Sequence, residues 1–106
     1  MDQEKILNLD PIIHTPTRLA ILSVLISSVK ATFTFLKDSI GITDGNLSTH
    51  LSKLEASGYI TIKKQFKDKK PQTVCSITKK GREAFENYVD QLEQIVQTQK
   101  DSKKDS

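Results

Sequence analysis

Leu47, Leu51 and Leu54 are spaced four and three apart, Gly58 follows them, and from Tyr59 the pattern changes to alternating β-branched residues and lysines. The leucine spacing puts one apolar stripe on a helix over residues 43–57, and Gly58 ends it. YITIKKQF (59–66) then has the enrichment of a strand, with Ile60 and Ile62 on one side. KDKKP (67–71) reads as a charged turn, QTVCSI (72–77) as the return strand with Cys75 and Ile77 on one face, and Phe66 is expected to pack under the loop. Upstream, residues 35–40 are briefly helical, Gly41 sits where a left-handed cap is wanted, Ile42 plugs the turn and Thr43 caps the leucine helix. The order is therefore short helix, tight turn, amphipathic helix, basic hairpin.

The flanks supply the rest of one domain, residues 1–99. Residues 3–9 form a turn or two of helix with Ile6, Leu7 and Leu9 as the apolar side. Thr15 and Pro16 are suited to a helix cap and its first position, and Leu19, Leu22, Leu25 and Ile26 make residues 16–28 a core helix. ATFTF (31–35) looks like a very short strand. Thr78 caps a final helix over residues 78–99 whose stripe is Ala84, Phe85, Tyr88, Val89, Leu92, Ile95 and Val96. The tail after Gln99 has no apolar residue, so residues 100–106 are expected to be disordered. The fold class is α+β, mainly α.

Charge narrows the function. The net value is only +3, but Lys and Arg outnumber Asp and Glu by eight to one in residues 61–82, against five to six before and three to six after. A concentrated block of this kind points to a polyanion. A helix presented by a tight turn and followed by a basic hairpin can hold duplex DNA by a groove and by its phosphates at once. The polar set Thr43, Asp44, Asn46, Ser48, Thr49, His50 and Lys53 would face the base edges, since short hydroxyl and amide side chains reach them without blocking groove entry. Lys63, Lys64, Lys67, Lys69 and Lys70 would meet phosphates. The plainer alternatives are a solvated helix face and a solubilising charge run. Gly45, facing outward near the helix start, fits close approach to DNA or simple drift.

Other functions find little support. No Ser-His-Asp or Cys-His arrangement and no phosphate-binding glycine loop is present, so no enzyme and no cofactor is expected. His14, His50 and Cys75 do not fall within ligand spacing, and no metal site is expected. The lone cysteine, the polar start MDQEKILNLD and the lack of a run near ~20 apolar residues make a cytoplasmic location, with no membrane partner, the expectation.

The segments RLAILSVL (18–25), GNLSTHLSKLEASGYI (45–60) and SITKKGREAF (76–85) resemble the small winged helix-turn-helix transcriptional regulators of the MarR, ArsR and PadR kind. The resemblance spans residues 11 to about 96. It implies a recognition helix at 43–57, a wing at 59–77 and a dimerisation helix at 78–99 in a homodimer, with an interface built on Ile6, Leu7, Leu9, Tyr88, Leu92, Ile95 and Val96. Two-fold symmetry then implies a palindromic operator, and any small-molecule effector is expected at the dimer junction. Asp44 departs from the pattern by placing a carboxylate near the front of the recognition helix. So does the wing, where Lys67, Lys69 and Lys70 stand in place of the arginine many relatives carry. The alternative function is a winged helix that binds only protein.

Overall fold

The computed structural model describes residues 3–104. Helices α1 (Gln3–Leu7) and α2 (Pro16–Ser28) lead to strand β1 (Lys30–Thr32), then α3 (Phe33–Ile40), α4 (Asp44–Ala56), β2 (Ile60–Lys67), β3 (Lys70–Ile77) and α5 (Lys79–Lys104). The strands form one antiparallel sheet in the order β1-β3-β2. β1 pairs only from Lys30↔Ser76 to Thr32↔Val74, whereas β2 and β3 pair from Ile60↔Ile77 out to Lys67↔Lys70. This is the winged helix-turn-helix arrangement, mainly helical with a small sheet.

Hydroxyl caps set most of the boundaries. Thr15 Oγ1 accepts from the Arg18 amide and Pro16 opens α2. Thr32 Oγ1 accepts from the Phe35 amide at 3.1 Å, which starts α3 at Phe33 and cuts the expected strand over 31–35 back to Thr32. Thr43 Oγ1 accepts from the Asn46 amide at 3.2 Å. Gly41 (φ 77°) and Gly58 (φ 80°) occupy the left-handed region where a side chain would strain the turn. The hairpin closes on two residues, Asp68 and Lys69, with φ of 54° and 66°. That pattern matches the right-handed twist of the strands, so both continue through residues expected to be turn.

The core gathers Ile13, Ile21, Leu22, Leu25, Leu36, Leu47, Leu51, Leu54, Ile60 and Cys75, with Leu9 and Tyr88 closing it. These last two correct the expectation that they face a partner: Leu9 is 4% and Tyr88 3% exposed within the single chain. The chain turns inward after α1, and the Tyr88 hydroxyl lies 2.8 Å from His14 Nδ1. Phe66 is a second correction. At 79% exposure it packs under nothing.

α5 continues through residues 100–104 instead of ending at 99. Its terminal turns need no apolar contact, because Lys and Gln are good helix formers and Gln97 donates to Asp101 one turn on at 3.1 Å. Residues 105 and 106, also part of the expected disordered tail, lie outside the described region. At 26 residues the helix is about 39 Å long. The radius of gyration is 16.4 Å, against roughly 13 Å for a compact chain of this size. The overhang of α5 accounts for a long axis of 63 Å.

One junction fixes α4, the hairpin and α5 together. Thr78 Oγ1 donates to the Gly58 carbonyl at 2.6 Å and accepts from the Gly81 amide at 2.9 Å, while the Thr78 amide donates to the Tyr59 carbonyl at 3.0 Å. Gly81 must lack a side chain, since a Cβ there would stand 2.1 Å from the Tyr59 oxygen. Gly45 has open space around the same position. Urea denaturation should therefore move in opposite directions: Gly81→Ala destabilises by about 2–3 kcal/mol through forced backbone displacement, and Gly45→Ala stabilises by up to about 1 kcal/mol through helix propensity.

Candidate nucleic-acid interface

α4 presents two faces. Leu47, Leu51 and Leu54 are buried, and Thr43, Asp44, Asn46, Ser48, Thr49 and Lys53 are all exposed, together with Gly45. The Thr49 hydroxyl donates back to the Gly45 carbonyl at 3.0 Å and keeps its lone pairs for a donor outside. His50, at the boundary of the two faces, is half-buried.

Asp44 has a partner. Its Oδ1 lies 2.8 Å from Lys37 Nζ across the turn between α3 and α4. The contact raises the lysine's pKa, first through the hydrogen bond to Asp44 and then through its charge. A carboxylate in the first turn of a helix also suits the positive end of the helix dipole. The two effects explain a negative charge at the front of an otherwise cationic region.

Sequence reasoning missed Arg18, the buried charge that steadies α4. It is 7% exposed. Its Nε donates to the Ile12 carbonyl at 2.5 Å, Nη2 to the Pro11 carbonyl at 3.4 Å, and Nη1 to His50 Nδ1 at 3.1 Å. A guanidinium has only donors, so His50 Nδ1 must accept, which makes the ring neutral with its proton on Nε2. Burial first, then the charges of Arg18 and Lys53, lower the His50 pKa from 6.5. The signal was present in the sequence, because Arg18 stands four and seven residues before Leu22 and Leu25 and shares their stripe.

The hairpin divides at its middle. Ile60 and Cys75 are buried and Ile62 and Ile77 pack against the core, but every residue from Lys63 to Pro71 is exposed, including Lys63, Lys64, Lys67, Lys69 and Lys70. Asp68 is the one acid among those five lysines. The apex holds strained geometry: Lys69 takes a left-handed φ of 66° where glycine is the relaxed choice, at a cost of about 1–2 kcal/mol. A cation is kept at the tip despite that cost.

The remaining candidate ligands are engaged elsewhere. His14 meets Tyr88, and Cys75 is fully buried with its thiol pushed up to about 11, chiefly by burial. Of the apolar residues expected at a partner interface, Ile6, Leu7, Leu92 and Val96 are exposed and Ile95 is half-buried.

A polar-faced helix behind a tight turn, followed by a cationic two-stranded wing, defines a winged helix-turn-helix protein. The family model described as a winged helix DNA-binding domain matches residues 17–96, and the chain belongs to that family. It is 38% identical over 84 residues to an uncharacterized protein of Methanocaldococcus jannaschii, covering 79% of this chain and 91% of that one. Its fold is similar to that of a transcriptional regulator homologue from Pyrococcus horikoshii OT3, with a TM-score of 0.84 and 30% identity over 92% of this chain and 97% of that one. The structure of reduced AbfR bound to DNA aligns with a TM-score of 0.72 at 21% identity, over 87% of this chain and 64% of that one, a likeness of fold alone. An ArsR family transcriptional regulator also aligns, with a TM-score of 0.61 at 25% identity over 88% of this chain and 97% of that one.

The Arg18–His50 contact has a pH signature. His50 binds a proton less readily in the folded chain than in the unfolded one, so its contribution to stability is complete above pH 6.5 and is lost as the pH falls below that value. In His50→Asn the amide oxygen takes the place of Nδ1 and accepts from Arg18 without titrating. Denaturation measured from neutral pH downward should show this variant losing less stability than the parent below pH 6.5.

Proposed function

We propose that the protein is a sequence-specific DNA-binding regulator of transcription that acts in the cytoplasm as a homodimer. α4 enters the major groove, where Asn46 can pair with adenine through two bonds, Thr43, Ser48 and Thr49 reach neighbouring edges, and Lys53 and His50 work from the flank. Asp44 holds the turn through Lys37. The wing lysines neutralise phosphates on either side.

The observation that carries this reading is the outer half of the hairpin. Residues 63–71 bury nothing in their own chain, repel one another and include a strained apex. A bare two-stranded ribbon is marginal in water, and an anionic duplex relieves the repulsion.

The dimer is supported by α5. One side of it closes the core through Ala84, Phe85, Tyr88 and Val89, with Ile95 packed against the same core. On its other side Leu92 and Val96 line an open groove of about 630 Å³ with Val89, edged by Asp90, Glu93 and Lys100. Ile6 and Leu7, on the opposite end of the chain, are also exposed. Packing this stripe on a second copy removes the exposed Leu92 and Val96 from water. Leu9 and Tyr88 take no part in that interface, since each lies in its own core. The resulting symmetry sets two recognition helices roughly 34–36 Å apart on a palindromic operator.

Two measurements test the reading. Binding to random duplex should weaken steeply with salt, and replacing Lys67, Lys69 and Lys70 with Ala should weaken all sequences alike and, with two wings per dimer, lower the log–log salt slope by about 5. Negligible affinity at low salt would favour a protein-binding module instead. Leu92→Glu with Val96→Glu should leave the helical signal unchanged and convert a dimer to a monomer by sedimentation; a parent already monomeric at high concentration would exclude the dimer.

A further inference from the structure

On a strand, alternate side chains share a face. The face of the hairpin that carries Ile60↔Ile77 and Ile62↔Cys75 into the core continues outward with Lys64↔Thr73 and then Phe66↔Pro71. This last pair lies past the end of the core, and Phe66 is 79% exposed. Pro71 is exposed as well. An apolar pair thus occupies the inner face near the tip, with exposed Lys64, Lys67, Lys69 and Lys70 around it.

Beside it lies a cleft of about 480 Å³ that separates the start of α3, at Thr32, Phe33 and Thr34, from the overhang at Pro71, Thr73 and Lys70. Its lining joins the polar Thr32, Thr34, Gln72 and Thr73, the cations Lys67 and Lys70 and one acid, Asp68, to the apolar Phe33 and Pro71. One sugar–phosphate strand combines those two surfaces, with charged oxygens outside and a deoxyribose face within.

We propose that Phe66 and Pro71 form an apolar wedge that seats in the minor groove of the bound duplex, against deoxyribose and base edges, while the surrounding lysines hold the phosphate rims. This rests on the DNA-binding function proposed above. A minor groove about 6 Å wide does not admit a phenyl ring on a ribbon without widening or partial unstacking. The insertion therefore deforms the duplex, and flexible pyrimidine–purine steps such as TA yield more easily than stiff A-tracts. Lysine reads base edges poorly, and every cation of the outer hairpin is a lysine. The wedge supplies the sequence preference that these charges lack.

The test uses the full chain and duplexes of about 30 base pairs labelled at both ends for energy transfer, one rich in TA steps and one built of A-tracts. Binding by the parent should shorten the end-to-end distance of the TA-rich duplex. Phe66→Ala, at an exposed position where folding is unaffected, should abolish that shortening. It should lower affinity for the TA-rich duplex about a hundredfold, the scale expected when each copy of the dimer loses one buried ring. Its salt slope should match the parent's, unlike that of the lysine variant, and Phe66→Leu should restore most of the bend. If the parent binds and Phe66→Ala binds and bends DNA equally, the wedge is refuted while DNA binding stands. A change in sedimentation on Phe66→Ala, with bending unchanged, would assign the pair to a contact between copies. A parent without affinity for either duplex would remove the DNA-binding reading itself, and the wedge with it.

Discussion

The Thr78 hydroxyl holds the architecture at its narrowest point. It donates to Gly58, just past the end of α4, and accepts from Gly81, where the last helix begins. Its backbone meanwhile binds Tyr59 at the root of the wing. Three elements with different jobs thus share one small set of hydrogen bonds, and the close approach of Gly81 to Tyr59 leaves no slack between them. Tyr59 extends the same network to the start of the chain, for its hydroxyl donates to Asp10, and burial with that bond pushes its pKa up to about 12. Helix and wing are set relative to each other by chemistry outside both.

Arg18 anchors the other side of α4 through His50. A buried guanidinium is tolerable only when its donors are met. Here two backbone carbonyls and an imidazole meet them in place of a carboxylate. The positive charge is therefore not cancelled locally, and it adds to the field beneath the exposed face of α4. Structural and electrostatic roles coincide in one side chain.

Much of this was legible in the residues, because periodicity and turn chemistry are local. Leu47, Leu51 and Leu54 are all buried as their spacing required, Gly41 takes the left-handed conformation its position suggested, and Gly58 follows the end of α4 as expected. What escaped was nonlocal. An apolar stripe announces that it will be covered but not by what, so Leu9 and Tyr88 read as interface although their own chain closes over them. Arg18 drew no reading of its own because a lone charge on an apolar stripe gains its meaning from carbonyls six and seven residues away and a histidine on another helix. Phe66 looked like filler because strand alternation shows which face a residue shares, not where the body beneath that face stops.

The fate of Cys75 bears on which signals such a molecule can hear. With its thiol raised to about 11 and no solvent reaching it, roughly one molecule in ten thousand carries the thiolate at neutral pH. Peroxide and disulfide exchange act on that anion at an accessible surface. The single sulfur nucleophile in this sequence is accordingly deaf to oxidants while the domain stays folded.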